Sequence, residues 1–211
     1  RQKAAALSEA GIYYDTLAEE YEPGISTTDI SVMFEQLRPT LVGLRKEILA
    51  EDKISSVTNY FDNNIQLNLA KELAVTFGYD LNKGRIDLSL HPFSSGCGDD
   101  VRITTRIDPS DPFNCIYSTI HEVGHATYEQ NINKNYAFTP LGRGVSLGVH
   151  ESQSRILENQ LGRSRAFTSW LFHRMRDLFG NFGIEDPETF YKCVNRVGSG
   201  YIRTEADELQ Y

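Results

Sequence analysis

The sequence predicts a mainly α-helical fold with one small antiparallel β-sheet. Two observations carry that expectation. Over most of the chain the apolar residues recur every three or four positions, which is the period of one helix face. Only between residues 86 and 107 does the period drop to two. There Ile86, Leu88 and Leu90, then Val101, Ile103, Thr105 and Ile107, alternate with polar neighbours, the mark of half-buried strands.

Taken in order, residues 2–20 form an alanine-rich helical pattern that Pro23-Gly24 terminates. Thr27, Thr28 and Asp29 offer N-caps for a second helix with Ile30, Met33, Phe34, Leu37, Leu41, Leu44 and Ile48 on its apolar stripe. Pro39 should kink or split it. A third helix is expected over 58–77, ending near Gly78. The two alternating runs read as an antiparallel pair, joined by a loop that holds Ser94-Ser95-Gly96-Cys97-Gly98. Asp111-Pro112 then opens a strong helix, with aspartate as N-cap and proline at the first position. Residues 135–149 are glycine-interrupted loop. A long helix is expected from 150 to about 179, and Asp186-Pro187 caps one more.

Composition narrows the function classes. The chain has 211 residues, 40% hydrophobic and 24% charged, ordinary values for a globular protein with a sizeable core. Twenty-nine acidic against 21 basic residues give a net charge of −8, which argues against a nucleic-acid partner. No apolar run is long enough for a membrane span, and the sequence is read as carrying no signal peptide. Cys97, Cys115 and Cys193 are odd in number and show no CxxC. They read as reduced thiols of a cytoplasmic protein.

The chemistry concentrates in His121-Glu122-Val123-Gly124-His125. Histidines four apart on a helix lie about 40° apart around its axis, so both imidazoles reach one metal ion. This H-E-x-x-H arrangement reads as a two-histidine zinc site with Glu122 as general base. A catalytic zinc takes a third protein ligand. Glu151 is the best candidate, with His150 competing, while a plain first-turn glutamate favoured by the helix dipole is the bland alternative. No His-x-x-Gly-x-x-His follows the motif, so a three-histidine site is disfavoured. On this reading Glu122 takes a proton from a metal-polarised water that attacks a carbonyl, which is peptide hydrolysis. Gly124 needs a reason as well, since glycine inside a helix costs about 1 kcal/mol against alanine. Close approach of another backbone is one such reason.

Beside the motif stand His91-Pro92-Phe93, Asp100-Val101-Arg102-Ile103-Thr104 and His150-Glu151-Ser152-Gln153, with Tyr21-Glu22-Pro23-Gly24 upstream. In this order they resemble the carboxypeptidase Taq family of zinc metallocarboxypeptidases, and the resemblance covers nearly the whole chain. It implies a helical zincin-like metallopeptidase core over residues 1–211, with a deep groove lined by the small sheet. It implies zinc, replaceable by cobalt in some members, held by His121, His125 and Glu151, with Glu122 as catalytic base. The substrates implied are peptides with a free C-terminus, shortened one residue at a time. His91, Pro92, Phe93, Asp100, Arg102 and Thr104 would line the closed end of the groove. The family is generally homodimeric and longer at both ends, so the chain is expected to be part of a longer protein.

A carboxypeptidase must also recognise a free carboxylate, which arginine does bidentately. Arg102 and Arg203 are the first candidates, with Arg106 and Arg143 behind them. The rival readings are an H-E-x-x-H aminopeptidase or oligopeptidase, and a helical domain that binds metal without catalysis.

Overall fold

The computed structural model of the chain describes residues 1–8, 11–51 and 55–198. The chain divides into two units: Arg1–Asp52 with Val145–Val149 and Val197–Tyr211, and Lys53–Gly144 with His150–Arg196.

In the first unit the expected opening helix is two short ones, α1 (Gln2–Leu7) and α2 (Tyr13–Ala18). Ser8 leaves the helical region at ψ 120°, and its hydroxyl accepts from the Gly11 N–H at 2.7 Å. Gly11 takes a φ of 80°, open to glycine at no steric cost.

Helix α3 (Thr27–Ala50) starts one residue before the expected caps, on a capping box. The Ser26 hydroxyl accepts from the Asp29 N–H, and Asp29 accepts from the Ser26 N–H. Pro39 does not split the helix. The carbonyl of Glu35 loses its donor there, but it lies in a stretch, residues 31–40, whose residues are all exposed. The apolar stripe is also uncovered: Met33, Phe34 and Leu37 are half-exposed, and no described side chain of α3 is buried. Within the same unit Glu22 accepts from the Ser146 hydroxyl at 2.6 Å and from the Gly148 N–H at 2.8 Å.

The second unit opens with α4 (Asn63–Thr76), shorter than expected. Asp62 caps it by accepting from the N–H groups of Asn64 and Ile65. Gly78, at a φ of 94°, ends it as expected.

Three strands follow: β1 (Ile86–Leu88), β2 (Ser94–Cys97) and β3 (Asp100–Thr105), in the order β1-β3-β2. The expected antiparallel pair is corrected here. β1 runs parallel to β3, with Ile86 opposite Ile103, and the antiparallel partner of β3 is β2. The sheet is mixed. Alternation shows which residues face a core, but it carries no information on strand direction. β2 lies where a loop is expected, because Ser94-Ser95-Gly96-Cys97 has no apolar alternation and its pairing rests on backbone hydrogen bonds.

Helix α5 (Pro112–Gln130) carries the motif, with Asp111 accepting from the Phe113 N–H at 3.0 Å. Helix α6 (Leu147–Arg155) begins three residues earlier than expected and runs into a π-helical turn (Ile156–Leu161). The long helix expected to reach 179 is therefore interrupted. Ser164 starts α7 (Arg165–Phe179) afresh by accepting from the Phe167 N–H. Helix α8 (Pro187–Val194) has the predicted Asp186-Pro187 start.

Two apolar clusters hold α5 along its length, one around its first half and one around its second. Ile116, Tyr117 and Ile120 join Phe61, Leu69, Leu73, Leu171, Phe172, Met175 and Phe190 in the larger one. Val123 and Ala126 pack with Ala74 of α4, with Tyr79 just after it, and with Val101 and Ile103 of the sheet. Each fully buried apolar side chain contributes about 1.5–3 kcal/mol, so the motif helix is held rigidly. The three cysteines are unbridged, Cys97 exposed and the other two buried. Among the described residues no helix is long and apolar enough to cross a membrane.

Candidate metal centre

The helical repeat puts His121 and His125 on one face of α5, and α6 crosses that face. The crossing depends on Gly124. A Cβ there would lie 2.4 Å from Ser154 Cα and 2.6 Å from the Gln153 carbonyl oxygen, distances no side chain tolerates against backbone. The missing methyl lets α6 approach, and Glu151, one turn before Ser154, reaches both histidines.

One ligand atom from each of His121, His125 and Glu151 lies within 4.8 Å of the others. Glu151 Oε1 is 3.7 Å from His121 Nε2, and Oε2 is 3.4 Å from His125 Nε2. Two imidazoles and a carboxylate, spaced to close on one ion, form a donor set suited to zinc. The hydrogen bond from His125 holds the Glu151 carboxyl down to about 2 against the effect of burial, with the charges of His121, His125 and Arg155 helping. It is ionised, as a ligand must be.

The outward ring nitrogens are engaged too. His121 Nδ1 is 2.8 Å from Glu158 Oε2, a carboxylate–histidine arrangement that orients a metal ligand. Glu158 sits in the π-helical turn, seven residues after Glu151. Arg155 bridges them, its Nε 3.2 Å from Glu151 and its NH1 3.2 Å from Glu158. His125 Nδ1 is 2.7 Å from His150 Nδ1. His150, weighed above as a competing ligand, thus faces the back of His125 while Glu151 faces the front.

Glu122 is buried, and its Oε2 has no hydrogen-bond partner. Burial pushes its carboxyl up to about 7, opposed by His121 and assisted by Glu151 and Glu158. An orphaned buried carboxyl oxygen is costly and rare. Here it lies beside the candidate metal-ligand cluster.

Glu158 responds oppositely. Burial works to raise it, but His121, Arg155 and Arg163 outweigh burial and hold it below its ordinary 4.5. A carboxylate lowered on folding stabilises fully above the ordinary value, and that stability is lost as pH falls through the lowered one. Acid unfolding of the metal-free chain, followed by circular dichroism, should therefore steepen below about pH 4.5. In Glu158→Gln the transition should be shallower; an identical acid limb would remove Glu158 from the account.

The remaining predicted residues fall into two groups. Asp100 and Arg102 pair on the exposed face of β3, with Nε–Oδ1 2.8 Å and NH2–Oδ2 2.9 Å. Thr104, two residues on, is buried and ties down the segment holding His91, Pro92 and Phe93. Its hydroxyl accepts from the Phe93 N–H at 2.9 Å and lies 2.7 Å from the Ser89 hydroxyl. Phe93 itself is half-exposed. Arg106 donates to Asn114. Arg203 lies outside the described residues. Sequence reasoning missed Glu129, Arg155 and Glu158, although their spacing was a signal: Glu129 is one turn after His125, and Glu158 two turns after Glu151.

An H-E-x-x-H helix crossed by a carboxylate-bearing helix is the donor set of a metallopeptidase centre. The model of the carboxypeptidase Taq (M32) metallopeptidase family matches residues 1–211, and the chain belongs to that family. It is 44% identical over 206 residues to thermostable carboxypeptidase 1 of Thermus thermophilus, and 35% identical over 206 residues to carboxypeptidase 1 of Bacillus subtilis. These alignments cover 95% and 94% of the chain, but the chain spans only 40% of the length of either relative. A solved M32 carboxypeptidase from Deinococcus radiodurans superposes with a TM-score of 0.92 at 41% identity, covering 99% of this chain and 43% of that one.

Proposed function

We propose that this chain is the catalytic core of a zinc metallocarboxypeptidase that removes the C-terminal residue of peptides. The observation that carries the reading is the convergence of His121, His125 and Glu151 beside the buried, unpartnered Glu122. When bound, zinc supplies Lewis acidity toward a water and a carbonyl oxygen. Glu122 accepts the water's proton at its unpartnered oxygen and returns it to the departing amine. A buried carboxyl oxygen with no other partner is free to make both transfers. Glu158 and Arg155 hold His121 and Glu151 in place throughout.

Direction along the peptide comes from the sheet. Asp100 fixes the plane of the Arg102 guanidinium, which would receive the substrate's terminal carboxylate. Thr104 would set the position of His91, Pro92 and Phe93 at the closed end of the groove. Arg203 is a second candidate for the carboxylate. Zinc is the metal the ligand set favours.

The test uses the holoenzyme and three versions of one peptide: unmodified, N-terminally blocked and C-terminally amidated. The first two should lose their last residue, and the third should survive. Cleavage of the unmodified and amidated peptides with survival of the N-terminally blocked one would point to an aminopeptidase, and zinc binding with no cleavage of any of them to a non-catalytic domain.

A further inference from the structure

We infer that His150 and Glu129 form a positioning relay that locks the tautomer of His125. The inference rests on the metal-site reading above and adds two residues that bind no metal themselves. His125 presents Nε2 to Glu151 at 3.4 Å and Nδ1 to His150 Nδ1 at 2.7 Å. A hydrogen bond between two ring nitrogens needs one protonated partner and one bare one. If Nε2 of His125 is the ligand atom, its lone pair is committed there, and in the neutral ring the proton sits on Nδ1. His150 must then accept at Nδ1, which places its own proton on Nε2.

That nitrogen has the matching acceptor. His150 Nε2 is 2.9 Å from Glu129 Oε1, which also accepts from the Gly144 N–H at 3.1 Å. The polarity of the whole chain follows: Glu129 carboxylate, protonated Nε2 and bare Nδ1 of His150, protonated Nδ1 and bare Nε2 of His125. Reversing any link would leave two lone pairs or two protons facing each other. The two histidine ligands are therefore oriented by different devices. His121 meets the Glu158 carboxylate directly, whereas His125 reaches the Glu129 carboxylate through an intervening imidazole.

Glu129 lies on α5, one turn beyond His125, while His150 precedes Glu151 on α6. The relay thus joins the two helices that supply the ligands. Tyr128 stacks edge-on against the His150 ring, with centroids 5.2 Å apart, and fixes its tilt.

The test has two parts. In the zinc-loaded chain, ¹⁵N–¹H correlation spectra that resolve histidine tautomers should show His125 protonated at Nδ1 and His150 neutral, protonated at Nε2. A His150 protonated at Nδ1, or at both nitrogens, would overturn the relay. Separately, zinc affinity measured by chelator competition should fall about 10- to 100-fold in His150→Phe, the range for loss of an outer-shell partner. Glu129→Leu should lose affinity similarly, whereas Glu129→Gln, which keeps an acceptor oxygen, should recover much of it. Unchanged affinity in folded His150→Phe and Glu129→Leu would reject the relay while leaving the three ligands standing. Failure of the unaltered chain to bind zinc would instead reject the metal site, and the relay with it.

Discussion

Replacing Glu122 by glutamine is expected to leave zinc binding intact and to lower kcat by about 10²- to 10⁴-fold, the usual contribution of a positioned general base. That corresponds to about 3–5 kcal/mol on the barrier. The amide is nearly isosteric, so the buried pocket beside His121 is not emptied, and His121, His125 and Glu151 are untouched. What disappears is the oxygen that can hold a proton. The measurement is a pair: zinc content of the purified variant, and turnover of a peptide with a free C-terminus. Full zinc with wild-type turnover would take Glu122 out of the mechanism. Loss of zinc would show instead that its role is structural.

Gly124→Ala should disturb the centre without touching any ligand. The new methyl would stand 2.4 Å from Ser154 Cα, 2.6 Å from the Gln153 carbonyl oxygen and 2.8 Å from the Ser154 nitrogen. All three are backbone atoms of α6, so no side chain can swing aside. Overpacking of this kind costs about 1–3 kcal/mol, and the better helix propensity of alanine returns about 1 kcal/mol. The net loss of stability should be modest. The larger effect should fall on zinc affinity, because α6 can relieve the clash only by withdrawing, and Glu151 withdraws with it. Thermal unfolding of the metal-free variant and zinc titration separate the two effects. Unaltered affinity and stability together would mean that the helices do not approach this closely.

Both results bear on how far the linear pattern reaches. The motif helix was legible in full, from the Asp111-Pro112 start to the buried face, because its signals are local: a cap, a fixed φ and a 3.6-residue period. The reason for Gly124 was legible as well, since a glycine that costs helix stability implies a close neighbour. The identity of that neighbour was not. The sequence favours Glu151 over its neighbour His150 as third ligand, but it does not say how either faces the motif helix; that comes from the crossing of α6 over α5. It turns Glu151 toward both Nε2 atoms and His150 toward the back of His125.

The sheet divides in the same way. Alternation placed Val101 and Ile103 on a buried face correctly, but the direction of β1 and the existence of β2 depend on backbone pairing between segments, which leaves no trace in side-chain period. The stripe on α3 marks the opposite limit, for its pattern calls for burial and the described residues leave it open. Spacing along one helix determines which groups share a face, and so it brought His121 and His125 together beside Glu122. Glu151, the carboxylate behind His121 and the histidine behind His125 come from segments distant in sequence, whose meeting is set by the packing of one helix on another.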